Sequence, residues 1–189
     1  NGPTKERVYH GYWWRCLPSD VNVIEVESDL QEFPDAACSY CRTLQRIDFR
    51  QARQLEAIGK RSFQSCTSLL SINLVGTITN VIKENAFSYC SALRDVVFNR
   101  ELREIADDAF WCCTNLQIVD FSNAKQVSKI GDGAFFGCPA LKRVTIPSSI
   151  QHFEFVFREE DVESVGIQGT ITLPLAIRLS TAYPNSTPT

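Results

Sequence analysis

The sequence predicts an α/β repeat solenoid, a stack of short parallel strands with helical or 3₁₀ turns on the opposite side. Three observations predict it. The first is a six-point pattern: Ile, an aromatic five residues on, Cys at eight, Leu at eleven, and apolar residues at fourteen and sixteen. It fits Ile58, Phe63, Cys66, Leu69, Ile72 and Leu74, then Ile82, Phe87, Cys90, Leu93, Val96 and Phe98. It fits again at Ile105, Phe110, Cys113, Leu116, Val119 and Phe121, and at Ile130, Phe135, Cys138, Leu141, Val144 and Ile146. The second is the period: the centres Ile24, Ile47, Ile72, Val96, Val119 and Val144 recur every 23 to 25 residues, within the range of stacked-repeat architectures. The third is that all length variation falls between one strand and the next Ile, as in residues 50–57 and 99–104. A stacked array tolerates changes of length in a loop at its surface.

Taken in order, residues 1–20 precede any repeat and carry Tyr9, Tyr12, Trp13 and Trp14. An open first coil needs a cover, so this segment is expected to be an N-terminal aromatic cap, with a stacking platform for a ligand as the alternative. The solenoid is placed at 21–168. It begins with a half-coil, Val21, Ile24 and Val26, followed by an early copy at Phe33, Cys38, Cys41, Leu44, Ile47 and Phe49. Leu-x-x-Ile-x-Phe alternates apolar positions at its end, as a strand with one buried face must. The other half of each coil, such as Ile82 to Cys90, is too short for an isolated helix. Its Ala86, Phe87 and Cys90 nevertheless share one face of a single helical or 3₁₀ turn. Asp or Asn ahead of Ala suits the start of such a turn, where amides need acceptors. After Ile146 the pattern decays. Ile150 and Phe153 open another coil, but Val162, Val165 and Ile167 come two residues early and Glu159 stands in the Cys slot. Residues 169–189 are expected to be a C-terminal cap and tail, with an alternating piece from Ile171 to Leu179.

The motif Ile-x-x-x-Ala-Phe-x-x-Cys-x-x-Leu-x-x-Ile-x-Phe resembles the BspA-type leucine-rich repeat over about residues 21–168. The resemblance implies a leucine-rich-repeat-like solenoid acting as a binding module, often part of surface, adhesion or scaffolding proteins. Two departures stand out: Cys38 occupies the core Phe slot, and the strand-ending Pro common in the family occurs only at Pro147.

Composition excludes several classes. An apolar content of 44% argues for a folded chain, and a net charge of -3 offers no basic face for nucleic acid or an anionic membrane. No run is long and apolar enough for a membrane-spanning helix. A start at Asn1 with no Met is what a processed product or an excerpt would show. The compartment is left open, between the cell surface or secretion and an intracellular site after processing. Cys41, Cys66, Cys90, Cys113 and Cys138 fill one repeated slot, as small buried apolar residues would. Cys38-Ser-Tyr-Cys41 is a C-x₂-C pair, but structural zinc needs four ligands and no second pair exists. Disulfides along the ladder are disfavoured, because stacked strands hold side chains at about 4.8 Å. His10 and His152 sit in no nucleophile motif, and Asp107 and Asp108 read as turn acceptors. No enzyme, cofactor or metal is therefore expected.

The expected function is protein–protein interaction or scaffolding, in a larger assembly, with a glycan- or matrix-binding adhesin as the alternative. Two surfaces are candidates. The residues after each core aromatic form the column Ser39, Gln64, Ser88, Trp111 and Phe136, whose two large rings, with Cys112 alongside, suit a partner anchor. A fold-back of the variable loops or of Leu173–Leu179 is the competing explanation for those rings. On the strand face, Val75, Val97 and Ile118 make an apolar diagonal.

Overall fold

The computed structural model describes residues 21–145 and 149–150, together with the backbone of strands at 5–8 and 152–153. Apart from the strand at 5–8, the expected N-terminal aromatic cap lies outside the described residues, as do the degenerate last coil beyond Phe153 and the 169–189 segment.

The chain winds as a parallel solenoid of about five turns. One wall is a seven-stranded sheet made of β1 (Lys5–Val8), β2 (Val23–Val26), β4 (Arg46–Asp48), β6 (Ser71–Asn73), β8 (Asp95–Val97), β10 (Ile118–Asp120) and β12 (Arg143–Thr145), in that order. Every pair is parallel and in repeat register: Ile24 faces Ile47, Ile72 faces Val96, and Val96 faces Val119. The strand pattern read from the sequence is borne out. β1 adds a strand before the first half-coil, pairing Lys5–Val8 with Val23–Val26.

A second parallel sheet, absent from the sequence-based expectation, runs along the opposite side. Its members are two-residue strands: β3 (Glu32–Phe33), β5 (Ala57–Ile58), β7 (Val81–Ile82), β9 (Glu104–Ile105), β11 (Lys129–Ile130) and β13 (His152–Phe153). Each contains the Ile position that opens the repeat. Two residues cannot display a period of two, so the strand was invisible as a pattern.

The helical or 3₁₀ turns are a correction: among the described residues the structure contains no helix. Between the two sheets the backbone alternates instead. The third and seventh residues after each Ile position adopt positive φ, as at Ala36 and Tyr40, Arg61 and Ser65, Asn85 and Tyr89, Asp108 and Cys112, and Gly133 and Gly137. N–H groups therefore point alternately along and across the stack. Phe87 N donates to Ala109 O of the next coil at 2.7 Å, whereas Ser88 N donates back to Asn85 O at 3.2 Å. A helix would send every N–H back along one segment. Here half of them stitch neighbouring coils, which satisfies the backbone of a turn buried on one side.

The core fills the space between the walls. Phe87 is fully buried and stacks between Phe63 and Phe110, each at 5.2 Å between ring centroids, as the repeat predicts; Phe135 continues the column at 5.2 Å. The Cys38 departure also resolves. Coil one carries Phe in the Ile slot and Cys in the Phe slot, and Phe33 places its ring 4.4 Å from that of Phe63. The aromatic ring has moved to the other slot, so coil one keeps a ring against Phe63 although its Phe slot holds the smaller Cys. Buried cysteines also bond: the thiols of Cys66, Cys90 and Cys113 donate to the carbonyls of Cys38, Phe63 and Phe87 in the preceding coil, at 3.1–3.2 Å. Cys41 is an exception to the shared burial, being only half-buried. The loops contribute a further inward column three residues before each Ile position, with Leu55, Thr79, Leu102 and Val127. Thr79 is accommodated because its hydroxyl donates to Leu55 O at 3.0 Å.

Candidate functional site

The flank formed by the alternating turns is where the two large outer rings fall. Trp111 and Phe136 occupy equivalent positions of adjacent coils and stack at 4.4 Å with an interplanar angle of 17°. Both are half-buried, as is Cys112. Cys112 takes φ 55°, and its sulfur lies 2.9 Å from where a Cβ on Gly137 would sit. Gly133 leaves room in the same way: a Cβ there would meet Asp108 Oδ1 and lie 2.9 Å from Trp111 Cε3. The carboxylate and the indole edge thus converge over one glycine. Ser88, in the same column one coil earlier, is fully buried rather than outward. Outward presentation passes to the next residue, where positive φ turns the side chain away. Tyr40 and Tyr89 are 62% and 47% exposed there.

Around Trp111 the charge is negative. Asp107 and Asp132 are exposed and Asp108 half-buried. Asp107 Oδ1 accepts from Asp132 N at 3.1 Å, tying two coils together, and Asp35 accepts from Lys60 N at 2.6 Å in coils one and two. The Asp residues expected to cap their own turn therefore cap the following coil. That reach requires Gly59 and Gly131 in the next coil, where a Cβ would collide with Asp35 and Asp107 respectively. Burial, reinforced by Asp107, Glu84 and Asp132, raises the Asp108 carboxyl above its ordinary range. Two cations of this flank are engaged: Lys60 bonds Glu84 at 2.7 Å and Lys129 bonds Glu104 at 2.7 Å. Among the described residues no ion pair reaches Asp107, Asp108 or Asp132.

On the strand face Val75 is 52% exposed, while Val97 and Ile118 are half-buried. The register pairs Asn73 with Val97 and Asp95 with Ile118, so the three apolar residues step diagonally and not along one row. Leu70 and Ile78, which the sequence reading passed over, are also exposed on this part of the chain. Their signal was only a break in the polar composition of outward positions. The two candidate surfaces lie on different flanks, and the fold does not merge them.

Among the described residues no group of His, Cys, Asp and Glu could hold a metal ion, and no helix is long and apolar enough to cross a membrane. A shallow cleft of about 440 Å³ is lined by Glu25, Val26, Glu27, Ser28, Asp29 and Gln51. It gathers three carboxylates, Glu25, Glu27 and Asp29. His10 lies outside the described residues, and His152 is known by its strand only.

A family model described as "BspA type Leucine rich repeat region" matches residues 19–82 and 56–173, in six copies. Among solved structures, a leucine-rich repeat protein of T. pallidum is 27% identical with a TM-score of 0.58, over 70% of this chain and 64% of that one. A leucine-rich cell surface protein of Faecalibacterium prausnitzii is 22% identical with a TM-score of 0.47, over 69% of this chain and 40% of that one. A leucine-rich repeat protein of Bacteroides ovatus is 24% identical with a TM-score of 0.48, over 77% and 40%. The chain thus spans less than two thirds of the length of these structures. No curated protein matches it.

Proposed function

The chain belongs to the BspA-type leucine-rich repeat family, and from that premise we propose that it is a non-enzymatic protein-interaction module serving as a scaffold part. Trp111 and Phe136, with Cys112 beside them, anchor a neighbouring protein. Val75, Val97 and Ile118 supply a secondary surface. One observation carries this reading: two large rings from adjacent coils stack at 4.4 Å on the outer flank, although the core columns are complete without them. Large apolar side chains outside a filled core are most useful as contacts, and Trp is enriched among interface hot spots.

The experiment is photocrosslinking in cells that produce the full chain, with a photoreactive residue replacing Tyr89 beside the ring pair, or Val97 on the strand face. A discrete protein adduct from position 89 that is lost on Trp111→Phe supports the anchor. Adducts from position 97 alone move the site to the strand face, and adducts from neither overturn the interaction reading. A second reading, glycan binding, is favoured by the exposed Tyr40 and Tyr89 in one column two coils apart. Retention on a glycan array that disappears with both tyrosines changed to Ala would select it.

A further inference from the structure

We propose that the partner segment received at this corner is basic, with an Arg side chain laid against the Trp111 indole and its guanidinium paired with Asp108 and Asp132. The inference rests on the interaction reading above and specifies the chemistry of the partner.

Three observations lead to it. First, the aromatic and the acidic groups are one feature, since Asp108 Oδ1 and the Trp111 ring edge both crowd the space over Gly133. Second, the acids have no direct counter-ion: Lys129, bonded to Glu104, reaches Asp107 and Asp132 only through its field. Asp107, Asp108 and Asp132 come from two adjacent coils, and among the described residues none of them forms an ion pair. Lys60, another nearby cation, is bonded to Glu84. Burial first, and then the charges of Asp107, Glu84 and Asp132, raise the Asp108 carboxyl above its ordinary range. Third, the acids are not all needed by the fold. Asp107 has a structural use, accepting from Asp132 N. No hydrogen bond accounts for the Asp108 carboxylate among the described residues, and the φ of 56° at this position is one that Asn or Gly would serve as well.

A group that satisfies both halves of the corner must be planar or apolar enough to lie on indole and positive enough to answer two carboxylates. Guanidinium does both: it stacks on aromatic faces and pairs with carboxylates through a fork of donors. An acidic or purely apolar partner would leave the carboxylates buried beneath it without a counter-charge, which is costly.

The test uses the full chain and a fluorescent peptide of alternating Gly and Arg, with a Gly–Glu peptide of equal length as comparison, followed by anisotropy. The Gly–Arg peptide is expected to bind and the Gly–Glu peptide is not. Asp108→Asn with Asp132→Asn should weaken the Gly–Arg peptide about tenfold. Trp111→Phe should weaken it by a smaller factor, since indole is the best cation–π surface. Glu25→Gln with Glu27→Gln, in the acidic cleft at the other end of the stack, should leave it unchanged. Failure of the Gly–Arg peptide to bind, or equal loss from the Glu25/Glu27 variant, overturns the inference. If crosslinked adducts at position 89 survive in Asp108→Asn/Asp132→Asn, the anchor stands and the basic partner falls. If no adduct forms in any variant, the anchor itself has failed.

Discussion

Phe87 and Cys90 show how differently two fully buried residues of one turn carry stability. Phe87→Ala would open a cavity between two rings and is expected to cost about 3–5 kcal/mol, measurable by urea denaturation. The repeat alone suggests that Cys90→Ser would be poorly tolerated, as a hydroxyl in an apolar slot. The structure alters that expectation, because the Cys90 thiol already donates to Phe63 O at 3.2 Å and a serine keeps the donor. The same measurement should give Cys90→Ser a cost of only about 1 kcal/mol. At Asp108 the sign is reversed. Its carboxyl is raised above the ordinary value by burial and by Asp107, Glu84 and Asp132, so the unfolded chain ionises first. Stability is then lost as pH rises from the unfolded value through the folded one. Asp108→Asn should raise the thermal midpoint at pH 7 and cease to do so at pH 3. The apolar columns were legible because each depends on one side chain in one slot. The Asp-to-next-coil bonds were not, because their partners lie 25 residues away.

At the level of the element, the turn is the part that sequence reading mistook. Ala86, Phe87 and Cys90 share a face in a helical turn and also in a turn with alternating φ, so spacing could not separate the two. The separating signal was chemical. Asn85, Asp108 and Gly133 occupy the third position and Gly137 the seventh, all residue types that tolerate positive φ. Arg61 at φ 56° is exposed and has no such tolerance. Arg61→Gly should therefore stabilise the chain by up to about 1 kcal/mol. Gly137→Ala should destabilise it, since φ is 72° and the new Cβ would press on Cys112. Paired thermal melts of the two variants check both signs. The candidate site shares this history. The sequence pointed to Trp111 and Phe136, which the structure stacks, but the exposed Tyr40 and Tyr89 depend on the positive φ that was not foreseen.

For the whole molecule, each coil contacts its neighbours and stability is close to a sum over coils and their interfaces. Removing residues 82–104, one complete period, joins Val81 to Ile105, where the preceding column resumes. The shortened chain is expected to fold with strand-rich circular dichroism and a proportionally smaller dependence of stability on urea, because less surface is exposed on unfolding. Loss of all cooperative unfolding would show that the array is not additive. Solenoid architecture and strand register were readable over most of the chain because repetition multiplies a weak local signal. The second sheet was lost because its strands are too short to signal at all.

The bonds donated by the two positive-φ residues of each turn and by the core residue midway between them run one way. Ala36, Cys38 and Tyr40 donate to carbonyls of the second coil, and the same three positions of the second, third and fourth coils donate onward in turn. That row is consequently polarised from end to end, with its carbonyl oxygens directed toward the start of the chain and its amide hydrogens toward the later coils. Like a helix macrodipole, such a row favours anions at its amide end and cations at its carbonyl end. Lys60 and Arg61 belong to the second coil, and Asp107, Asp108 and Asp132 to the fourth and fifth. A coil added at the later end must arrive with acceptors, and one added at the earlier end with donors. The stack therefore has a head and a tail that cannot be interchanged.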